Sequence, residues 1–152
     1  MDIHTVRKIL LAGLIAVLAA CGPGERGAEE ELVGSPAQII PLEGTNWQLV
    51  QMTVLGGFVF TPDDPGKYVL NFRSENRLTG VSDCNQISGS WQQQESTLRF
   101  DPFVSTRKLC PPGSLHNNLA LYLKDAAVHE FRDDHMILTT TTEGVAIEFQ
   151  AR

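Results

Sequence analysis

Three cysteines and four histidines carry most of the reactive side chains in this 152-residue chain. Cys84 lies in VSDCNQISGSW, residues 81–91, and Cys110 closes STRKLC, residues 105–110. A cysteine so placed can be a nucleophile, a metal ligand or half of a disulfide. A nucleophile needs a nearby positive charge, most often a histidine, to lower the thiol pKa. His116, His129 and His135 lie beyond the first twenty residues, and none is tied to Cys84 by spacing. A zinc site needs C-x2-4-C or a paired-histidine motif, and the chain has neither. It also lacks a nucleophile elbow and a phosphate loop. No catalytic residue, metal ligand or cofactor is assigned, and the chain is expected not to be an enzyme.

Which role suits Cys84 depends on the compartment, and the N-terminus speaks to that. Arg7 and Lys8 precede an uninterrupted apolar and small-residue run from Ile9 to Ala20. As a helix that run would be about 18 Å long, short of the ~30 Å hydrocarbon core. It reads as a secretory leader over residues 1–20. Its end, Leu18-Ala19-Ala20-Cys21, resembles a bacterial lipobox. That resemblance implies cleavage before Cys21, a diacylglycerol on its sulfur and acylation of its new amino terminus. Several acyl chains anchor far more firmly than one. Residue 22 is Gly rather than Asp, which by the same resemblance favours the outer membrane, with the rest of the chain facing the periplasm.

Lipid on Cys21 would leave Cys84 and Cys110 as the only other cysteines. An exported compartment permits disulfides, so this pair is expected to be bonded, with two free thiols as the alternative. The full chain has 18 acidic and 12 basic residues. Without Asp2, Arg7 and Lys8 of the leader, 17 acidic and 10 basic residues remain, a formal net charge of −7. No Lys/Arg run occurs. This balance argues against nucleic acid and against anionic membrane surfaces as partners.

The elements that must position these cysteines follow a short, Gly-, Pro- and Glu-rich stretch. Residues 21–41 read as a lipidated N-terminus and flexible tether. From residue 42 a period of two dominates. Tyr68, Leu70 and Phe72 share one face; Ile87, Gly89 and Trp91 another; Leu98 and Phe100, then Val145, Ile147 and Phe149, repeat the pattern. These are half-buried antiparallel strands, joined by short links such as SENR, QQES, RDDH and TTEG. One longer loop, GGFVFTPDDPGK, separates the first two strands and exposes Phe58 and Phe60 to two readings. They insert into the concave face, or they form an apolar lip for a partner. Four threonines at 139–142 read as an edge or hairpin. Near residues 114–127, Leu115, Leu119, Tyr122, Leu123 and Ala126 recur at helical spacing, with Ser114 placed to cap the start. The expected fold is α+β and mostly β: a strongly curved antiparallel sheet, or partly open barrel, of about eight strands closed by that helix.

LEGTNWQL (42–49), LTGVSDCNQISGSW (78–91), STRKLC (105–110) and the helix with its final strands resemble the META domain family, that of HslJ-like heat-inducible bacterial lipoproteins. The match spans most of residues 42–152. It departs at one point: members often carry Gly before the Cys-Asn pair, and here the residue is Asp83. The resemblance implies a small β-rich domain with one helix and an association with envelope stress or drug tolerance. It also places Cys84 and Cys110 in one domain. Asn85, Thr106 and Arg107 belong to the matching motif. Their structural reading is turn chemistry, with Arg107 paired to Asp83; the functional reading is that Asp83, Asn85, Thr106 and Arg107 rim a binding groove. The resulting expectation is a membrane-anchored module that binds an envelope protein. The alternative is a small hydrophobic ligand held inside the curved sheet, and a filled interior would argue against it.

Overall fold

The computed structural model describes residues 40–152. The expected leader, Cys21 and the tether up to residue 39 lie outside the described residues. Nine strands and one α-helix follow in order: β1 (Asn46–Val54), β2 (Phe58–Phe60), β3 (Tyr68–Phe72), β4 (Arg77–Ser82), β5 (Asn85–Gln94), β6 (Thr97–Ser105), α1 (His116–Lys124), β7 (Ala126–Arg132), β8 (His135–Thr140) and β9 (Ala146–Ala151). The additional strand, β2, lies inside the stretch expected to be a loop. That stretch also holds a 3-10 turn at Pro65–Lys67.

Every pairing is antiparallel, and β1 closes the sheet by pairing with β9. The result is a closed eight-stranded barrel, with β2 added to the edge of β1 beyond the point where β3 leaves it. Closure goes further than a partly open barrel because the chain supplies enough strands to remove both edges. One seam is thin. β6 and β7 pair through Thr97 and Val128 alone, and the two strands then diverge.

Eight strands leave a bore that side chains can fill. Trp47, Leu49, Leu70, Phe72, Leu78, Trp91, Leu98, Leu138, Ile147 and Phe149 are all buried within it. Phe72 packs edge-on against Trp91 at 5.4 Å between ring centres, and tilted against Phe100 at 6.1 Å. Two glycines permit close strand approach. A Cβ on Gly80 would run into the Val69 carbonyl oxygen, and one on Gly89 into that of Pro102.

α1 plugs the barrel end where β3 begins, β4 ends and β5 begins. Leu119 and Leu123, one turn apart, are fully buried, and Leu115 precedes them at the start. The Leu115 amide donates to the Tyr68 hydroxyl at 2.9 Å. Ser114 sits one residue before the helix N-cap, and its oxygen accepts from the His116 amide at 3.3 Å. Thr139 and Thr140 end β8, while Thr141 and Thr142 open the turn to β9, so the threonine run is a hairpin in the interior of the sheet.

Candidate functional site

β4 ends at Ser82, and Asp83 turns the chain with φ 54°. This left-handed conformation is the one that glycine adopts without cost. Asp is among the few other residues that take it readily, so the departure from the family's glycine leaves the turn intact. The Asp83 amide donates to the Lys67 carbonyl at 2.7 Å. The turn delivers Cys84 and Asn85 to the start of β5.

Cys84 is joined to Cys110 by a disulfide. Asn85 is completely buried beneath it. Its Oδ1 accepts from the Thr106 hydroxyl and from the Lys108 amide, both at 2.8 Å. Its Nδ2 donates to the Lys108 carbonyl at 3.2 Å and lies 3.1 Å from the Cys110 sulfur. Thr106 Oγ1 in turn accepts from the Gln86 amide at 3.0 Å. The disulfide and Asn85 therefore fix the path of residues 106–110 against β5. Asn85 is wholly engaged in this array and does not reach an open surface, whereas Thr106 bonds into it and is also exposed along the groove described next.

The array turns Arg107, Lys108 and Leu109 outward. Leu109 is 100% exposed. Between this segment and α1 lies a groove of about 490 Å³, lined by Arg107, Lys108, Leu109, His116, Leu121 and Lys124 among others. Lys124 also borders a second groove of about 440 Å³ in the gap between β6 and β7, which Arg99 and Phe103 line from the other side. Arg99, Arg107, Lys108 and Lys124 make no ion pair among the described residues. Asp101 and Asp125 also line the β6–β7 groove, so the local excess of free cations lies in the groove against α1, where Arg107, Lys108 and Lys124 meet no carboxylate. Exposed Leu109 and Leu121 supply apolar surface beside them.

The expected pairing of Arg107 with Asp83 does not form. Asp83 lines a separate shallow pocket with Lys67 and Pro111–Ser114, while Arg107 faces α1. The sequence reading missed Lys108, Leu109, Leu121 and Lys124. Lys108 and Leu109 were within reach of it, because two residues between Arg107 and Cys110 in a stapled segment have nowhere to go but outward. Leu121 lies off the helical stripe that seats Leu119 and Leu123, which is itself a sign of exposure.

The histidines go to different places. His116 is buried at the first position of α1, and its Nδ1 has no partner among the described residues. Burial pushes its pKa down, against a smaller opposing pull from Asp83. His129 lies at the opposite barrel end, its Nδ1 2.9 Å from the Ser96 carbonyl and its Nε2 2.9 Å from Gln93 Nε2. Burial lowers its pKa too, with the Ser96 bond acting in the other direction. His135 pairs with Glu148 at 2.6 Å, and Glu148 also accepts from Gln51 at 2.7 Å. Among the described residues there is no group of three or more His, Cys, Asp or Glu arranged to hold a metal ion.

Three solved structures share the fold. A protein from Burkholderia xenovorans solved by NMR is 19% identical with a TM-score of 0.63, over 78% of this chain and 96% of that one. A DUF4847 family protein from Bacteroides vulgatus is 18% identical with a TM-score of 0.54, over 72% and 93%. A further protein solved by NMR is 21% identical with a TM-score of 0.55, over 74% and 95%. At these identities the likeness concerns the fold alone. No curated protein matches the sequence significantly. The META domain profile matches residues 40–152, which is the whole of the barrel with its helix and its disulfide, and the chain belongs to the META domain family.

Proposed function

We propose that this chain is a non-enzymatic lipoprotein, anchored in the outer membrane through acyl chains on Cys21, whose META domain docks a protein of the cell envelope. An HslJ-like role in envelope stress or drug tolerance follows from the family resemblance. The docking surface is the groove between residues 105–109 and α1. The observation that carries this reading is the buried Asn85–disulfide array, which fixes the backbone that presents two cations and a fully exposed leucine beside a helix. Fixed cations with adjacent apolar surface suit a partner segment that bears carboxylates and aliphatic side chains. Charged rims of this kind act mainly on association rate and specificity, while apolar anchors hold the complex. An interior ligand has less support, because Trp47, Leu70, Phe72, Trp91 and Phe149 occupy the bore themselves.

A photo-crosslinking residue at Leu109 or Leu121, introduced in intact cells, tests the docking surface. A discrete protein adduct is expected, weakened by charge reversal at Arg107 and Lys108 and absent when the label sits at Glu95, at the other end of the barrel. The same adduct from both ends, or one indifferent to charge reversal, refutes the groove. The anchor is tested separately. Cys21→Ala is expected to give an uncleaved or soluble product. A variant of normal mature mass that still needs detergent for extraction refutes lipidation at Cys21.

A further inference from the structure

Residues 49–62, LVQMTVLGGFVFTP, contain no charged residue and no histidine. They fold into the β1–β2 hairpin. Gly56 and Gly57 turn it with φ 85° and 78°, and the Gly57 amide donates to the Val54 carbonyl at 3.0 Å. β2 pairs with β1 alone, through Met52–Phe60, Thr53–Val59 and Val54–Phe58. Its side chains stay outside the core. Leu55 is 72% exposed, Phe58 69%, Val59 52% and Phe60 36%. The hairpin is nonetheless held in place. Leu55 packs over Gly144 in the β8–β9 turn, and Pro62 is buried just beyond β2.

We propose that this hairpin is a second membrane contact, whose tip enters the interfacial layer of a lipid bilayer. The tip is convex and narrow. Four side chains on three strand residues and a turn fall well short of the ~800 Å² per partner of a stable protein interface, whereas a deformable lipid surface can close around them. Leu and Phe at a tip, flanked by a hydrogen-bonded turn, gain free energy in proportion to the apolar area removed from water. The outer edge of β2 carries unpaired backbone groups, so entry stops at the interface, where water and headgroups can still satisfy them. Asp63 and Asp64, exposed directly after the hairpin, set the same limit. Residues 40–152 carry 13 acidic and 9 basic side chains. The attraction is therefore apolar, independent of anionic lipid and insensitive to salt.

The proposal rests on the lipid anchor at Cys21 to bring the domain to the surface. The nineteen residues from Cys21 to Ile39 can span up to about 65 Å. The chain enters the domain at Ile40, whose carbonyl is held by Gln93, at the barrel end opposite the hairpin. β1 separates the two ends by about 30 Å, from its nine residues. The length outside the described residues is thus sufficient for the hairpin to face the bilayer. Once the domain is tethered, even a weak contact is favoured by its high local concentration.

The test uses the mature lipoprotein carrying Phe58→Trp in zwitterionic phosphatidylcholine vesicles, with bromine-bearing acyl chains as the quencher. The introduced indole is expected to be quenched by the brominated lipid and shielded from aqueous iodide, while the wild-type protein, whose Trp47 and Trp91 are buried, shows little change. Unaltered melting behaviour verifies the fold. In an unlipidated protein produced without the leader, beginning at residue 22, Leu55→Ser with Phe58→Ser should reduce vesicle partitioning about tenfold or more. An indole open to iodide and untouched by the brominated lipid overturns the proposal. So does partitioning that needs anionic lipid. If mass measurement shows no acyl chains, attachment through an N-terminal histidine tag to nickel-chelating lipid repeats the quenching test, so the hairpin and the anchor fail separately.

Discussion

Asn85 shows how a motif residue can matter without touching a ligand. Its side chain bonds Thr106 and both backbone groups of Lys108, in a position from which water is excluded. Removing it deletes three hydrogen bonds, to the Thr106 hydroxyl and to the Lys108 amide and carbonyl, and each is worth about 0.5–1.5 kcal/mol. Asn85→Ala is expected to lower stability by about 2–4 kcal/mol on the same basis, measured by urea denaturation. It should also weaken partner capture at Leu109 under conditions where the barrel remains folded. A loss within error would mean that the disulfide alone shapes residues 106–110. From the sequence, Asn85 read as a turn amide, which is close to what it does. Its reach to a segment more than twenty residues away was not legible, because nothing local records which strands lie side by side. Asp83 was legible in the opposite sense: its departure from glycine raised a question of backbone conformation, and the positive φ is the answer.

At the scale of elements, period and spacing were enough to find the helix and the strands other than β2. Leu119 and Leu123 are buried as their helical stripe requires. Leu123→Ala should cost about 2–5 kcal/mol in chemical denaturation, as for a fully buried leucine. A change within error would mean that α1 merely rests on the barrel. The elements hardest to read were those governed by pairing. β2 is three residues long, exposed and without alternation, so its sequence looks like a loop; only the neighbouring edge of β1 makes it a strand. Closure was equally hidden, because it depends on β9 returning to β1 across nearly the whole domain. Gly80 belongs to the same class. It lies within β4, where glycine lowers strand stability, and the reason for it is the Val69 carbonyl on the adjacent strand. Gly80→Ala should therefore destabilise the domain by about 1–3 kcal/mol, as overpacking does, since the obstacle is backbone and cannot rotate away. Unchanged stability would show that β3 and β4 can separate locally.

At the scale of the whole molecule, the barrel is held at both ends by different means. The disulfide and α1 close one end. Cross-linking residues 26 apart removes about 3.5 kcal/mol of unfolded-state entropy in the chain-entropy model. The double substitution Cys84→Ala, Cys110→Ala is expected to lower the melting temperature correspondingly. The other end is latched by His129 and Gln93, which bonds Leu42 and Ile40 where the chain enters. This latch is sensitive to pH. The Ser96 carbonyl can only accept, so His129 Nδ1 carries the proton and Nε2 accepts from the Gln93 amide. Protonation would place two donors face to face, and burial already lowers the His129 pKa. The unfolded chain, with its histidine near the ordinary value of about 6.5, then binds the proton first as pH falls. Stability should hold above that value and decline below it, with no further loss once the folded form also protonates. His116, lowered by burial in the same direction, adds to the decline. His129→Gln keeps an amide able to bond both Ser96 and Gln93 but cannot titrate. Thermal melts between pH 7.5 and 5.5 should show a smaller fall for His129→Gln than for the wild type. Parallel curves for the two proteins would exclude His129 as the source of the acid sensitivity and leave His116, at the plugged end, as the buried imidazole to substitute next.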